Sequence, residues 1–413
     1  MPGGPVTFVA VGSRGDVEPL AILAGAVAAG GRAATVVAID EYADLVRGHG
    51  AGFRGIGSAL HHMERMSRGW LGQLAFRTPL AQPLLLRRWL AGLAEPLADA
   101  LDEVPPGSSV VTGVASRDAA LALAQQRGVR VATVLHTAVL PTAERESHLE
   151  GRRFWGRPRA DRAFTDWYWR QVSGLSRATS AVFRARHGLP TSAQQAEDAL
   201  WLAVDRVLVP TARDWPGGVV QTAAIRPALD GSWTPPDPLA AFLAAGPRPV
   251  YVGLGSLNDA GGQRWLQLIV DAARQAGRRV LTPAVPGTQP GVIDDLVCTI
   301  RPAPHDALFP RLAGVIHHGG AGTTAAALRA GVPSVAVPAV FDQYYHAHRL
   351  HVLGVGPAPV RLPKLSQVRL AGLLTALTSG DHDERAQRVG EQARTVDGTA
   401  ATLAELNRTM CAP

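Results

Sequence analysis

Short apolar runs rich in β-branched residues recur along the chain and alternate with longer stretches rich in alanine and leucine. In the first half they read VTFVAVG, ATVVAI, SVVTGV and RVATVLH, starting at Val6, Ala34, Ser109 and Arg130. Apolar runs of this length are typical of parallel strands buried on both faces, and the stretches between them suit crossover helices. The pattern predicts a parallel α/β unit.

A second series of such runs follows later in the chain. It consists of RPVYVGLGS, RRVLTPAV, GVIHHGG and PSVAVPAV, which start at Arg248, Arg278, Gly314 and Pro333. Between the two series lies a stretch rich in proline and glycine, with WPGG at Trp215 and TPPDP at Thr234. Such a stretch suits a connection between two domains.

The length of 413 residues exceeds one ordinary domain, and two domains of roughly 200 residues are the default expectation. We therefore predict two Rossmann-like domains and a helix from Glu384 to Leu406 near the end of the chain. The predicted divisions are an N-terminal domain over 1–208, a connection over 209–248, a C-terminal domain over 249–383 and a final segment over 384–413.

Composition and charge exclude few classes of protein. The chain is 46% hydrophobic and 18% charged, as folded globular proteins are. Its net charge of +7 is a modest excess for this length, and we expect no nucleic-acid partner. Cys298 and Cys411 are too few for a disulfide framework or a zinc site, which favours a reducing cytoplasm. We expect a cytoplasmic protein without stable membrane insertion, since neither a signal sequence nor ~18 consecutive apolar residues can be read.

A candidate phosphate cradle lies in HHGGAGTTAAALRAGVP, from His317 to Pro333. Glycines allow close approach of the backbone, and the start of a helix, expected near Thr323, favours an anion through its free N–H groups and dipole. Thr323 and Thr324 can add hydroxyl donors. The alternative is a tight turn with capping threonines. The fingerprint GxGxxG is absent, which argues against a nicotinamide dehydrogenase.

A candidate general base, Asp16, lies in GSRGDVEPL, at a predicted turn from strand to helix. A carboxylate within hydrogen-bond reach can take the proton of an attacking hydroxyl. From this segment alone, helix capping is the better explanation, because Asp is a favoured N-cap and Pro19 suits the first helical turn.

A candidate sugar-binding pair, Asp342 and Gln343, follows another predicted strand. A carboxylate and an amide can hold vicinal hydroxyls, although such a pair at a helix start is commonly a cap. Ser256 draws attention only through its predicted place at a strand end that faces the same cleft.

Two further segments carry competing interpretations. Asp381, His382 and Asp383 resemble a DxD metal motif, but acidic residues at the start of a helix suit its dipole, so capping is favoured. The basic aromatic stretch 152–170 can bind nucleic acid or a membrane surface. A helix with a packed aromatic face and a solvated basic face is the preferred interpretation.

Taken together, these segments resemble the nucleotide-sugar glycosyltransferases of glycosyltransferase family 1, which includes bacterial antibiotic glycosyltransferases, sterol glucosyltransferases and UDP-glucuronosyltransferases. The resemblance rests on GSRGDVEPL, PVYVGLGSL, PAPHDALFPRLAGVIHHGGAGTTAAALRAGVPSVAVP and DQYYHAHRLHVLGVG, in this order. It implies the GT-B fold, in which two Rossmann-like domains face each other across a deep cleft and the final segment packs back toward the first domain.

The resemblance also implies roles for individual residues. Asp16 takes the place of the catalytic base, so the resemblance favours this role over capping. His317 takes the place of the histidine that contacts the diphosphate. The other residues implied in donor binding are Ser13, Arg14, Ser256, Pro304, His305, Gly319, Gly320, Gly322, Thr323, Asp342 and Gln343. The resemblance implies that the segment 302–305 contacts the nucleobase of the donor. This segment has proline where many plant members have tryptophan, so the nucleobase can be uracil or thymine.

The implied reaction is a one-step inverting displacement, in which Asp16 deprotonates the acceptor and the leaving diphosphate is stabilised without a metal. The sugar nucleotide is a UDP- or dTDP-sugar substrate, so no cofactor is expected. The acceptor is expected to be a small apolar natural product, such as a polyketide, macrolide or glycopeptide aglycone. It would bind between about Ser58 and Arg177, where His61, His62 and His136 are candidate pocket residues as well as surface or structural histidines.

Other functions stay open at this stage. They include a sugar epimerase, a lipid, sterol or cell-wall glycosyltransferase at a membrane surface, a non-catalytic auxiliary homologue and a nucleotide-binding regulator. The joint presence of Asp16, His317, Asp342 and Gln343 argues against loss of activity. The chain can be a monomer or a homodimer.

Overall fold

The structure, a computed structural model, describes residues 4–58, 82–144, 157–228, 233–255 and 262–410. Its strands form two sheets, one in each half of the chain. The predicted α/β class and the GT-B arrangement of two parallel-sheet domains are confirmed.

The first sheet has seven parallel strands in the order β3-β2-β1-β4-β5-β6-β7. The strands are β1 (Val6–Val9), β2 (Ala34–Ala38), β3 (Gly52–Gly55), β4 (Ser109–Gly113), β5 (Val131–Leu135), β6 (Ala199–Leu202) and β7 (Val219–Gln221). The helices of this half are α1 (Arg14–Ala29), α2 (Ala43–Gly48), α3 (Gln82–Gly92), α4 (Ala94–Asp102), α5 (Arg117–Arg127), α6 (Pro158–Leu175) and α7 (Arg177–Arg186).

The second sheet has the order β10-β11-β9-β8-β12-β13, with β10 antiparallel to β11 and the other pairs parallel. Its strands are β8 (Val250–Gly253), β9 (Val280–Pro283), β10 (Gly291–Val292), β11 (Val297–Ile300), β12 (Gly314–His317) and β13 (Ser334–Ala336). The helices that follow the first half are α8 (Asp237–Ala244), α9 (Gly262–Ala276), α10 (His305–Leu308), α11 (Ala321–Ala330), α12 (Gln343–Val352), α13 (Gln367–Leu377), α14 (Asp383–Arg394) and α15 (Gly398–Met410).

Both sheets are covered on their two faces, which explains why their strands read as continuous apolar runs. Every residue of β1, β4 and β5 is buried. Neighbouring residues of a strand pack in separate clusters: Phe8 belongs to one cluster and Val9 to the cluster on the other face. The second sheet repeats this arrangement with Val252 and Tyr251.

One apolar cluster joins the two halves. Leu140 and Leu202 of the first half pack in it with Tyr345 and Leu350 of α12. Apolar contact of this kind holds the halves together alongside the covalent connection, so the cleft between them is bounded by packed side chains.

The segment over 209–248 is not a plain connection, because β7 pairs in parallel with β6 as the edge strand of the first sheet and α8 forms before β8. The single helix predicted from Glu384 to Leu406 is wrong, since α14 ends at Arg394 and α15 begins at Gly398. A Cβ atom at Gly398 would lie 2.2 Å from the carbonyl oxygen of Ala224, so close contact with the connecting segment requires glycine at this break.

Helix α15 returns to the first half of the chain. Leu406 and Met410 are buried in a cluster of the first sheet. The backbone carbonyls of Thr409 and Met410 accept hydrogen bonds from Arg130 (3.0 Å) and Ser109 (3.1 Å). Across the described residues, no helix has the length and apolar character needed to cross a membrane.

Candidate active site

Asp16 lies at the start of α1, just beyond the carboxyl end of β1. Ser13 is the N-cap of this helix, and Oδ2 of Asp16 accepts hydrogen bonds from the Ser13 backbone N–H (2.8 Å) and from Ser13 Oγ (2.9 Å). Asp16 therefore helps to cap the helix from its third position rather than as the N-cap itself. Pro19 is not in the first turn, as the sequence suggested, but in the second.

Gly12 makes room for this carboxylate. Its φ is +146°, and a Cβ atom at this position would lie 2.3 Å from Oδ2 of Asp16. Only glycine combines this backbone conformation with such a close approach. Gly12, the first glycine of GSRGD, thus makes room for the Asp16 carboxylate.

The environment of Asp16 disfavours its charged form. Burial raises the pKa of this carboxyl, the two hydrogen bonds from Ser13 lower it, and the charge of Asp342 raises it again. The resulting pKa lies above the ordinary value for aspartate. Because Asp342 stands at the start of α12 in the second half, the charge of one half acts on a buried carboxyl of the other.

His317, the last residue of β12, is fully buried beside the start of α11. Its Nδ1 accepts a hydrogen bond from the backbone N–H of Gly319 at 3.1 Å, so a neutral ring carries its proton on Nε2. Burial and the neighbouring His318, His346 and His305 hold the pKa of His317 well below its usual value. Within the described part of the chain, its Nε2 has no hydrogen-bond partner, so a buried N–H donor is available.

Helix α11 begins two residues earlier than expected, at Ala321, with Gly320 as its N-cap. Thr323 lies in the first turn and is partly exposed, with backbone N–H groups around it that have no partner within the helix. Thr324 is not available as a donor, because it is buried and its hydroxyl donates to the carbonyl of Gly320 at 2.9 Å. The start of α11 thus offers backbone donors and one threonine to an anion.

Asp342 and Gln343 mark the start of α12. Asp342 is the N-cap, but its side chain makes no capping hydrogen bond, so the capping alternative does not account for it. The Oε1 atom of Gln343 accepts hydrogen bonds from the backbone N–H groups of Ala339 (2.9 Å) and Val340 (3.2 Å). This arrangement fixes the loop after β13 and leaves the amide nitrogen of Gln343 to face other groups.

Two glycines allow these loops to approach each other. Gly319 has a φ of +91°, and a Cβ atom there would lie 2.9 Å from the carbonyl oxygen of Gln343. A Cβ atom at Gly320 would lie 2.3 Å from Nε2 of His318. The glycines of HHGG therefore serve close packing between the loop after β12 and the start of α12, as well as the turn itself.

Comparison with known proteins assigns the chain to a family. Residues 276–401 match the C-terminal domain family named after the erythromycin biosynthesis protein CIII. Glycosyltransferase GtfE of Amycolatopsis orientalis is 30% identical over 420 residues, which cover 94% of this chain and 94% of that protein. The chain belongs to glycosyltransferase family 1.

A second relative, dTDP-epi-vancosaminyltransferase of the same organism, is 32% identical over 381 residues, which cover 86% of this chain and 85% of that protein. The matched segments span only 30% to 53% of the length of four other curated relatives, which include sterol 3-beta-glucosyltransferases and vancomycin aglycone glucosyltransferase. The glycosyltransferase of kitacinnamycin shares the fold, with a TM-score of 0.67 at 19% identity over 98% of this chain and 99% of that one.

The predicted nucleobase segment of this family 1 chain leads into α10. Pro304 is the exposed N-cap, and the ring of His305 stacks on Phe309 with centroids 4.4 Å apart. Burial, with the charges of Arg226 and other neighbours, lowers the pKa of His305 to about 4. A neutral imidazole supported by an aromatic ring thus follows the proline of the predicted nucleobase segment.

The charge of Arg14 acts on residues of both halves. Arg14 forms an ion pair with Glu18 (2.9 Å), and its charge lowers the pKa of Tyr251 in β8, although burial raises that pKa to about 12. Arg14 therefore contributes positive charge to the electrostatics of both halves.

Three of the predicted site residues fall outside the described residues: Ser256, His61 and His62. His136 follows β5, and burial lowers its pKa to about 4, while its Nε2 has no hydrogen-bond partner in the described part of the chain.

The structure describes most of the two segments that carried competing interpretations. Asp383 and its neighbour Glu384 lie in the first turn of α14, and the side chain of Asp381 accepts a hydrogen bond from Ser379 at 2.8 Å. In the described ranges, no group of three or more metal-ligating side chains is found. The packed aromatic face predicted for α6 is wrong in part, since Trp167 is 50% exposed and stacks on Phe164.

Sequence reasoning missed three residues beside the site. Tyr42 is hydrogen-bonded to the backbone of Arg14 and senses the charge of Asp16. His346 is fully buried, and its Nδ1 donates to the carbonyl of Gly319 at 2.7 Å. Arg226 contacts both α10 and α11 from the connecting segment. No local pattern marks Tyr42 or Arg226, because each is brought to the site from a different part of the chain, whereas His346 lies one helical turn after Asp342 in a segment that carried the resemblance.

Proposed function

We propose that this chain is an inverting glycosyltransferase that moves a sugar from a UDP- or dTDP-sugar to a hydroxyl of a small, apolar natural product. The observation that carries the proposal is that the charge of Asp342, at the start of α12, acts on the buried carboxyl of Asp16 at the start of α1. One carboxylate comes from the half expected to hold the acceptor and the other from the half expected to hold the donor. The pair supports direct displacement at an anomeric carbon, which needs a base on the acceptor side and contacts to the donor sugar.

In this proposal, Asp16 is the general base. Its carboxylate takes the proton of the acceptor hydroxyl while the acceptor oxygen forms a bond to the anomeric carbon. The bond from that carbon to the phosphate oxygen breaks at the same time, and its electron pair leaves with the nucleoside diphosphate. Attack from the opposite face converts an α-linked donor into a β-glycoside. The raised pKa of Asp16 strengthens it as a proton acceptor.

The leaving diphosphate meets donors that are fixed before the reaction begins. His317 offers its buried Nε2–H, and the first turn of α11 offers backbone N–H groups around Gly322 and Thr323. Donors held in place stabilise developing negative charge without reorganisation, which is the largest contribution in many enzymes. We propose that this electrostatic stabilisation takes the place of a metal ion.

The donor sugar is held by the start of α12. Asp342 accepts hydrogen bonds from sugar hydroxyls, and the amide nitrogen of Gln343 donates, because its oxygen is already engaged by the loop backbone. His305 and Pro304 contact the nucleobase. The name of the relative dTDP-epi-vancosaminyltransferase supports dTDP as the nucleotide to test first.

A sterol or lipid acceptor is the second candidate. Trp167, half exposed on α6, offers an apolar contact of the kind found at membrane surfaces, and sterol 3-beta-glucosyltransferases are among the relatives. Sterols therefore belong in the acceptor panel, both in solution and in phosphatidylcholine vesicles.

The test measures nucleoside diphosphate release from UDP- and dTDP-sugars with a panel of polyketide, macrolide, glycopeptide and sterol acceptors, with mass spectrometry of the products. Asp16→Asn keeps an oxygen that can accept the Ser13 hydrogen bonds but cannot take a proton. We expect kcat to fall by about 10² or more while donor affinity changes less than threefold. Asp237→Asn, which alters another acid in the first turn of a helix, should leave turnover unchanged.

Turnover that persists in Asp16→Asn would refute the role of Asp16. Absence of turnover with every pair, combined with tight nucleotide binding, would instead favour a nucleotide-binding regulator or an auxiliary homologue.

A further inference from the structure

Arg226 ties together two loops of the candidate donor site. Its Nε donates to Oδ1 of Asp306 at 3.0 Å, and Nη2 donates to the other carboxylate oxygen. Its Nη1 donates to the carbonyl of Gly322 at 3.2 Å. Asp306 follows the nucleobase residue His305, and Gly322 lies in the first turn of α11. One guanidinium thus fixes the nucleobase loop relative to the phosphate-binding helix.

The backbone of Arg226 is anchored as firmly as its side chain. Its N–H donates to Oγ1 of Thr399 at 3.1 Å, and Thr399 Oγ1 donates back to the Arg226 carbonyl at 2.7 Å. Thr399 lies in the first turn of α15, next to the tightly packed Gly398. The position of the guanidinium is therefore set jointly by the connecting segment and the C-terminal helix.

The location of this cation is electrostatically unusual. The start of a helix carries partial positive charge, so a guanidinium bonded to the first turn of α11 is unfavourable by itself. Asp306 offsets the charge, and the pair is largely buried, with exposed fractions of 17% for Arg226 and 12% for Asp306. An additional anion bound at the start of α11 would balance the positive charge of Arg226 and of the helix dipole.

An independent feature points to such an anion. His317 is fully buried at the end of the strand that leads into α11, and its Nε2–H has no partner within the described residues. A buried donor without an acceptor is costly unless a ligand supplies one. The imidazole and the guanidinium therefore flank one helix start from the strand and from the connecting segment.

The charge of Arg226 also reaches the first half of the chain. Burial raises the pKa of Glu18 in α1, but the hydrogen bond and charge of Arg14, together with the charge of Arg226, outweigh it and lower the pKa. The charge of Arg226 thus acts on the Arg14–Glu18 pair of the first half. Its electrostatic field spans the space between the two halves.

We propose that Arg226 is a positioning and charge-supplying residue for the diphosphate of the donor nucleotide. It orients the base loop and the phosphate helix relative to each other, and its charge makes affinity rise with the number of phosphates. This inference rests on the proposed function, because it assumes that a nucleoside diphosphate is the ligand.

The test compares three ligands that differ only in phosphate number: UDP, UMP and uridine, with dTDP, dTMP and thymidine in parallel. Calorimetry gives each Kd for the wild type and Arg226→Gln. We expect the variant to bind the diphosphate about tenfold more weakly, the monophosphate about threefold more weakly and the nucleoside within twofold of the wild type. Arg274→Gln removes the same charge from an exposed ion pair on α9 and should change no Kd more than twofold.

Equal losses for all three ligands in Arg226→Gln would overturn the proposal, since they would indicate a structural role alone. If this variant does not fold, Asp306→Asn decides, because it removes the anion that offsets Arg226. The ratio of diphosphate to nucleoside affinity should then rise about threefold, and an unchanged or lower ratio would contradict the proposal. If the wild type binds neither nucleotide series, the proposed function itself fails.

Discussion

Arg329 of α11 donates a hydrogen bond to Asp205, which follows β6, across the boundary between the two halves, with 2.8 Å between Nη1 and Oδ1. The carboxylate is almost fully buried, at 2% exposure. Arg329 also donates to the backbone carbonyls of Ala393 (2.6 Å) and Val396 (3.1 Å), near the break between α14 and α15. This one arginine connects the two halves of the chain and the returning C-terminal segment.

Removal of Arg329 is expected to destabilise the protein in a pH-dependent way. Burial already raises the pKa of Asp205 more than Arg329 lowers it. Arg329→Met leaves this carboxylate unpaired, and we expect the free energy of unfolding at pH 8 to fall by about 3 kcal/mol. The folded state then holds the proton of Asp205 more tightly than the unfolded state, so the loss should shrink as pH falls through the folded-state pKa.

Urea unfolding at pH 5 and pH 8 measures this effect. The double variant Arg329→Met with Asp205→Asn serves as the control, because it has no unpaired charge and should recover most of the loss at pH 8. A loss of the same size at both pH values would refute the explanation.

Gly12→Ala is expected to disturb the site through Asp16. A methyl group at position 12 would collide with the Asp16 carboxylate and also force alanine into the region of positive φ. Gly31→Ala is the matched control, since Gly31 has a φ of +82° and open space around its Cβ position. We expect both variants to lose about 1 kcal/mol of stability from the backbone strain. Only Gly12→Ala should reduce kcat, by tenfold or more in the glycosyl-transfer assay, and equal activities would contradict the argument.

His317 is expected to act as a neutral donor over the physiological pH range. Its pKa lies well below the usual value, so the ring should stay neutral over the pH range in which an ordinary histidine titrates. We predict that the ratio of donor Kd values for His317→Gln and the wild type stays constant within twofold over this range. A sugar nucleotide is the suitable ligand, because its diphosphate carries the same charge throughout. A ratio that grows as pH falls through 6.5 would show that protonated His317 binds the donor.

The strands show where prediction from local pattern succeeds. Apolar runs at β1, β2, β4, β5, β8, β9, β12 and β13 were identified because strands buried on both faces must be apolar at nearly every position. The predicted runs did not include β3, β7 or β10, which are short edge strands with mixed or partly exposed side chains. They also did not include β6 and β11, which are four-residue strands inside their sheets. Edge strands pair on one side only, so their sequences carry weaker constraints.

For the candidate site, local sequence indicated the candidate residues that lie within one turn from strand to helix, whereas the proposed role of Asp16 came from the family resemblance. The glycines, His317 and the first turn of α11 are adjacent in sequence, as are Gly12, Ser13 and Asp16, because the carboxyl ends of parallel strands bring loops to one edge. Relations over longer distances were decided by the tertiary structure alone. The influence of Asp342 on Asp16, the contact of Arg226 with two loops and the pairing of Arg329 with Asp205 depend on how the halves pack, and hydrophobic periodicity carries no information about which polar side chains then become neighbours.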